Sequence, residues 1–125
     1  MMRFGLKTAA AALVLALIGP GGEARAAGAL AIDGNKGDKY GFSYDHAEMR
    51  QAEQRALKEC GAGCKVVFRF SSGCAAYAAD QAKASSIYGW GTNANGPAAQ
   101  DRALKECRAA GGASCTVRVW GCNSR

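Results

Sequence analysis

Apolar residues recur along this chain in two rhythms, and the order of those rhythms predicts the elements. Gly28 to Ile32 is a short apolar run leading into the turn-rich Asp33-Gly34-Asn35-Lys36-Gly37-Asp38, the pattern of a strand entering a hairpin, with Tyr40 to Tyr44 as the returning strand. Met49, Ala52, Ala56, Leu57 and Cys60 then repeat at three- and four-residue spacing, which predicts a helix with Arg50, Glu53, Gln54 and Lys58 turned outward. Asp45 stands where its N-cap belongs, Glu48 three residues later completes a capping-box pattern, and Gly61 is placed as a left-handed stop. Lys65 to Phe70 reads as a strand with Val66, Phe68 and Phe70 facing the core and Lys65, Val67 and Arg69 facing out. Ser71-Ser72-Gly73 turns the chain, Cys74 to Ala79 returns as a strand of small residues, and Asp80 to Ser86 connects onward.

The scheme then repeats. Ile87 to Thr92 reads as a strand, Gly96 and Pro97 open a helix that runs to Cys107, and Thr116 to Trp120 reads as another strand. The hexapeptide Arg-Ala-Leu-Lys-Glu-Cys occurs at 55–60 and again at 102–107. Tyr40-Gly41-Phe42 matches Tyr88-Gly89-Trp90, and Val66 and Phe68 match Val117 and Val119. These matches predict an α+β fold over 27–125, a single domain made of a duplicated strand-helix-strand unit with half-repeats at about 40–79 and 88–122. Helices this short need a partner surface, so the expectation is two helices packed on one sheet and stapled by disulfides.

The cysteines fall into two sets of three, Cys60, Cys64, Cys74 and Cys107, Cys115, Cys122. In each set the first two flank a Gly-rich reversal, so the predicted local bridges are Cys60 with Cys64 and Cys107 with Cys115. Cys74 and Cys122 are then left to meet across the pseudo-symmetry axis, joining the halves. Zinc would need clustered thiolates, and the spacings contain no paired Cys-x-x-Cys ligands, while His46 is far from every cysteine in sequence. The same missing spacing argues against thiol exchange chemistry. No metal or cofactor is expected.

The amino-terminal residues change where those bridges form. Arg3 and Lys7 precede an apolar run from Ala9 to Ile18, ended by Gly19-Pro20 ahead of the small residues around Ala24-Arg25-Ala26, the layout of a signal peptide over 1–26. The run is shorter than the roughly 20 residues of a spanning helix, so no stable membrane insertion is expected and the destination is periplasmic or extracellular. Charge adds little: the full chain carries +6, and the mature part falls to about +4, a mild excess that keeps a protein soluble and disfavours nucleic acid as partner.

Several residues carry a resemblance. Gly28-Ala29-Leu30-Ala31, the Tyr-Gly-aromatic element, two Ala-Leu-x-x-Cys segments, Gly-Cys-x-Val-Val at 63–67, Cys74-Ala75-Ala76, Gly89-Trp90-Gly91 and the closing Val-x-Val-Trp-x-Cys occur in this order across nearly the whole mature chain. In this the chain resembles the exported bacterial domain-of-unknown-function 4189 family. The resemblance implies a signal-bearing, cysteine-rich secreted domain, and it brings no established reaction and no catalytic residues. The acidic and basic turn Asp33 to Lys39 departs from the family pattern.

Catalytic constellations are scarce. His46 follows Asp45, a pairing able to do acid-base work, but no nucleophile in a recognisable setting accompanies it. Ser71-Ser72 and Ser85-Ser86 lie outside any Gly-x-Ser-x-Gly elbow. The run Asp33 to Asp38 offers alternating oxygen ligands, yet Lys36 sits inside it and Tyr44 stands where an EF-hand needs its bidentate Glu, so a hairpin turn is the better reading. Asp101 with Lys105 and Arg102 with Glu106 read as solvated helix pairs. The outward strand faces are more suggestive, because Arg69, Arg118 and Trp120 would combine an aromatic with cations.

The expectation is therefore a non-catalytic exported binding module for a protein or an anionic cell-envelope component, through Trp120, Arg118 and Arg69, with inhibition of an extracellular enzyme as one form. The alternative is a small secreted hydrolase using His46 and Asp45 or Glu48. A third reading is a spacer that stabilises envelope material. The oligomeric state is left open by the sequence.

Overall fold

The computed structural model describes residues 26–33 and 39–124. Residues 1–25 of the signal segment expected over 1–26, and residues 34–38 of the turn expected over 33–38, lie outside the described residues. The elements run β1 (Ala27–Ile32), β2 (Tyr40–His46), α1 (Met49–Cys60), β3 (Lys65–Phe70), β4 (Cys74–Asp80), β5 (Tyr88–Asn93), α2 (Gly96–Ala109) and β6 (Cys115–Cys122).

The strands form two sheets of three, ordered β2-β1-β3 and β5-β4-β6, with every pairing antiparallel. This corrects the expectation of a single sheet. The reason lies in the central strands: β1 is buried at every position and β4 at all but its last, so each must be covered on both faces. One face of β1 carries Ala27, Ala29 and Ala31 against Ala52, Ala56 and Cys60 of α1. Its other face carries Leu30 and Ile32, which meet Phe42, Phe70, Tyr77 and Ala79 between the sheets. In β4, Cys74, Ala76 and Ala78 lie under Ala99, Ala103 and Cys107 of α2. The layers therefore run helix, sheet, sheet, helix, with the bulky side chains in the middle and the small ones beneath the helices.

Topology divides the chain at the turn around Gly73, earlier than the connector that half-repeats at about 40–79 and 88–122 imply. Cys74 to Ala79 is the central strand of the second sheet, not a return strand of the first. Cys74 therefore opposes Cys122 on the neighbouring strand β6, and their disulfide ties two strands of one sheet instead of bridging the halves. The other two bridges, Cys60–Cys64 and Cys107–Cys115, pin each helix end to the strand that follows.

Local chemistry explains the helix boundaries. Asn95 caps α2 by accepting the Ala98 amide at 2.8 Å, and Pro97 fills the first turn, where its missing N–H costs nothing. At α1 the expected Asp45 cap is wrong: the N-cap position belongs to Glu48, which makes no side-chain cap bond. Asp45 lies at the end of β2 with φ 63°, and its carboxylate is drawn away to Ser124, accepting from the amide at 2.7 Å and the hydroxyl at 2.8 Å. Leu57 also departs from the expected apolar face and is 36% exposed, because Ala52, Ala56 and Cys60 are the residues of α1 buried against the sheet. Gly61 ends α1 with its amide on the Leu57 carbonyl at 2.9 Å, but its φ 102°, ψ −168° is not the expected left-handed helical conformation.

Both outer strands that follow the helices break their alternation. β3 slips one residue against β1, Leu30 opposing Phe68 while Ala31 opposes Val66, so Val67 is an extra residue that joins the inter-sheet core. β6 slips in the same way against β4, Tyr77 opposing Val119 and Ala78 opposing Val117, with Arg118 as the extra residue. The predicted outward rows through Lys65, Val67 and Arg69 and through Thr116, Arg118 and Trp120 are therefore not single faces. At the centre of the inter-sheet core Tyr77 is fully buried between Tyr40 and Tyr88, and burial pushes its hydroxyl pKa up to about 12.

Candidate functional site

The sandwich has two long sides, and they are finished differently. On one, β2 and β6 are laced together: the Tyr40 hydroxyl donates to the Arg118 carbonyl at 3.2 Å, and the Asp45 amide donates to Asn123 Oδ1 at 2.7 Å. Tyr44 lies on Gly121, where an added Cβ would come within 2.7 Å of the ring. Together with the Asp45 contacts to Ser124, these close that side.

On the other side β3 and β5 leave a groove of about 460 Å3, lined by Phe68, Tyr88, Trp90, Thr92, Arg102 and Glu106, among others. Its aromatic wall is a relay of rings: Phe68 and Trp90 lie 5.3 Å apart by centroid, and Tyr88 and Trp90 lie 5.9 Å apart. Its polar wall is the pair Arg102 and Glu106, joined at 3.0 Å one helical turn apart on α2. Two glycines set the depth of the groove. A Cβ on Gly91 would stand 2.5 Å from Arg102 Cβ, and one on Gly89 would stand 2.4 Å from the Cys107 amide nitrogen, so only glycine lets α2 lie this close to β5. Chemically the site offers aromatic rings, a paired cation and anion, and the hydroxyls of Tyr88 and Thr92, a set suited to recognition. Among the described residues there is no cluster of His, Cys, Asp or Glu that would hold a metal ion.

The profile of a family described as Domain of unknown function (DUF4189) matches residues 27–122, which spans both sheets and all three disulfides. The chain belongs to this family. No curated protein and no solved structure matches it. DUF4189 membership thus fixes kinship and leaves activity to the site itself.

In this DUF4189 chain the three residues expected to form a binding surface do not come together. Arg69 engages Glu53 on α1, on the outer face of the first sheet. Trp120, 47% exposed, lies on the opening turn of α2, where a Cβ on Gly96 would meet its ring at 2.4 Å. Arg118 turns between the sheets and sits over the Tyr40 ring, 5.2 Å from its centroid. The two-sheet stacking puts Arg69 and Trp120 on opposite outer faces, and the bulge at Arg118 turns that residue inward between the sheets. His46 ends β2 opposite Ala27, beside an Asp45 carboxylate committed to Ser124, and Glu48 begins α1.

The groove was not assembled by sequence reasoning. Its signals were present but read as structure: Trp90 as the counterpart of Phe42, and Arg102 with Glu106 as a solvated helix pair. What the sequence did not reveal is that Phe68 comes across from the other sheet to meet them.

Proposed function

We propose that this chain is an exported, non-catalytic recognition module whose ligand occupies the groove along β5. The observation that carries the reading is the asymmetry of the sandwich, one long side laced shut and the other lined by rings with no covering element among the described residues. Export is supported by the apolar leader and by three disulfides, which persist in an oxidising compartment. Among the described residues no helix is long and apolar enough to cross a membrane. The bridges hold the groove in shape before a ligand arrives, which lowers the ordering cost of binding.

A protein ligand fits better than an anionic polymer, because the one cation lining the groove is neutralised by Glu106. Inhibition of an extracellular enzyme is one form such binding would take. The frame itself we infer to be a duplication. Each sheet has its earliest strand in the centre, its helix joining the two outer strands, a bulge at the matching position, and an alanine stripe ending in a bridged cysteine.

The double variant Arg102→Ala with Glu106→Ala removes the polar wall at little cost in stability, because an exposed pair one helical turn apart contributes only about 0.3–0.5 kcal/mol. It should lose capture of partners in a crosslinking pull-down from envelope and culture fluid by tenfold or more. Capture unchanged in a variant that folds normally would remove the groove from the account. Turnover of a substrate that disappears in His46→Ala would restore the hydrolase reading instead.

A further inference from the structure

The edge of β5 inside the groove has a backbone of its own to offer. The Asp80 amide donates to the Ile87 carbonyl at 2.9 Å, and the ladder continues without a slip through Ala79 opposite Tyr88 to Cys74 opposite Asn93. Antiparallel pairs alternate between hydrogen-bonded and non-hydrogen-bonded positions, so Gly89, Gly91 and Asn93 point their amides and carbonyls at β4, as does the Ile87 carbonyl. Tyr88, Trp90 and Thr92 point theirs away from it, into the groove. The disulfide gives an independent check on this phase. If Cys74 is hydrogen-bonded to Asn93 it faces Cys122 as a closely spaced, non-hydrogen-bonded pair, the position where cross-strand side chains come nearest, and there the bridge is found. β5 is an edge strand, and no described residue bonds the outward amides and carbonyls of Tyr88, Trp90 and Thr92.

We propose that the ligand of this groove is an extended peptide segment of a protein partner, which adds to β5 as a fourth strand of the second sheet. The inference rests on the groove reading and deepens it. Exposed edges are ordinarily blunted by charge, proline or a covering element, whereas β5 between Tyr88 and Asn93 carries none of the first two. Its neighbours form a slot around it, with Phe68 and Trp90 on one side and Arg102 with Glu106 on the other. A strand in that slot places alternate side chains on the rings and the remainder on the ion pair, so the matching segment alternates apolar with polar residues. A second copy of this chain is a poorer occupant, since its own β5 is flanked by the same projections and would meet them before the two backbones came within bonding distance.

The test uses isotopically labelled mature protein and a pool of peptides about eight residues long that alternate Val, Ile, Phe or Tyr with Ser, Thr, Lys or Glu, long enough to span a strand of this size. Bound peptide should slow exchange at the amides of Tyr88, Trp90 and Thr92. Methylating alternate peptide nitrogens in one phase should weaken binding about tenfold per lost bond, and in the other phase should not. Binding that shifts groove signals but ignores methylation, or binding of a soluble cell-wall glycan fragment in place of every peptide, overturns strand addition and leaves the groove as a site. Peptides that bind and perturb only the surroundings of Trp120 overturn both. A pool with no binder also overturns strand addition, and the groove reading then stands or falls on the Arg102 and Glu106 capture result.

Discussion

Gly41→Ala should cost about 3 kcal/mol of folding stability, at the upper end of what overpacking a core usually does. The added Cβ would stand 1.9 Å from the Ala56 carbonyl oxygen and 2.7 Å from the Cys60 nitrogen, and neither is a side chain that can rotate away. The only relief is for α1 to lift from β1 and β2, which opens the contact among Ala29, Ala31, Ala52 and Ala56. That movement is resisted at the helix end, where Cys60 is bridged to Cys64. A loss of this size corresponds to a fall in melting temperature of roughly 15 °C for a domain of about 100 residues. Gly63→Ala provides the comparison: an added Cβ there meets nothing, but φ is +84°, so the cost is the backbone strain alone, about 1 kcal/mol. Thermal melts of the two variants should rank Gly41 well below Gly63; equal losses would mean that helix contact is not what requires Gly41.

Opening the Cys74–Cys122 bridge should have a comparable effect by another route. Those cysteines are 48 residues apart, and closing a loop of that length removes about 4 kcal/mol of chain entropy from the unfolded state, against about 2 to 2.5 kcal/mol for each of the short bridges. The topologically equivalent positions of the first sheet are Ala27 and Ser71, so Cys74→Ala with Cys122→Ser gives the second sheet the residues that the first carries at that pair. Denaturant titration under non-reducing conditions should show the double variant losing about 4 kcal/mol, a large share of the 5–15 kcal/mol typical of a domain. A loss under 1 kcal/mol would show that the bridge only decorates a sheet already stable without it.

The two rhythms of apolar residues were enough to place the helices and most strands, because alanines at four-residue spacing and alternating bulky residues leave few other solutions. The number of sheets was harder. Ala27, Ala29 and Ala31 alternate with Leu30 and Ile32, a pattern of two buried faces, but an apolar run of six reads equally well as a strand with one covered face. Cys74 reads as part of a return strand of the first sheet because the repeated hexapeptide draws attention to the helices, whereas the two central strands share mainly alanine. The candidate site suffered from both the second sheet and a bulge. Arg69 and Trp120 lie on the helix-covered faces of different sheets, and the extra residue Arg118 turns between the sheets, a slip that nothing in the strand's composition announces. The groove was hidden for a different reason: its parts lie on β3, β5 and α2, and only the stacking of the two sheets brings Phe68 to Trp90.

The central claim is that β5 presents an unpaired backbone edge within a preformed groove, and amide hydrogen exchange of the ligand-free mature protein tests it residue by residue. The account predicts an alternation along one strand, with fast exchange at Tyr88, Trp90 and Thr92 and slow exchange at Gly89 and Gly91, which bond to β4. Uniform protection from Tyr88 to Thr92, at concentrations where the chain is monomeric, would contradict it.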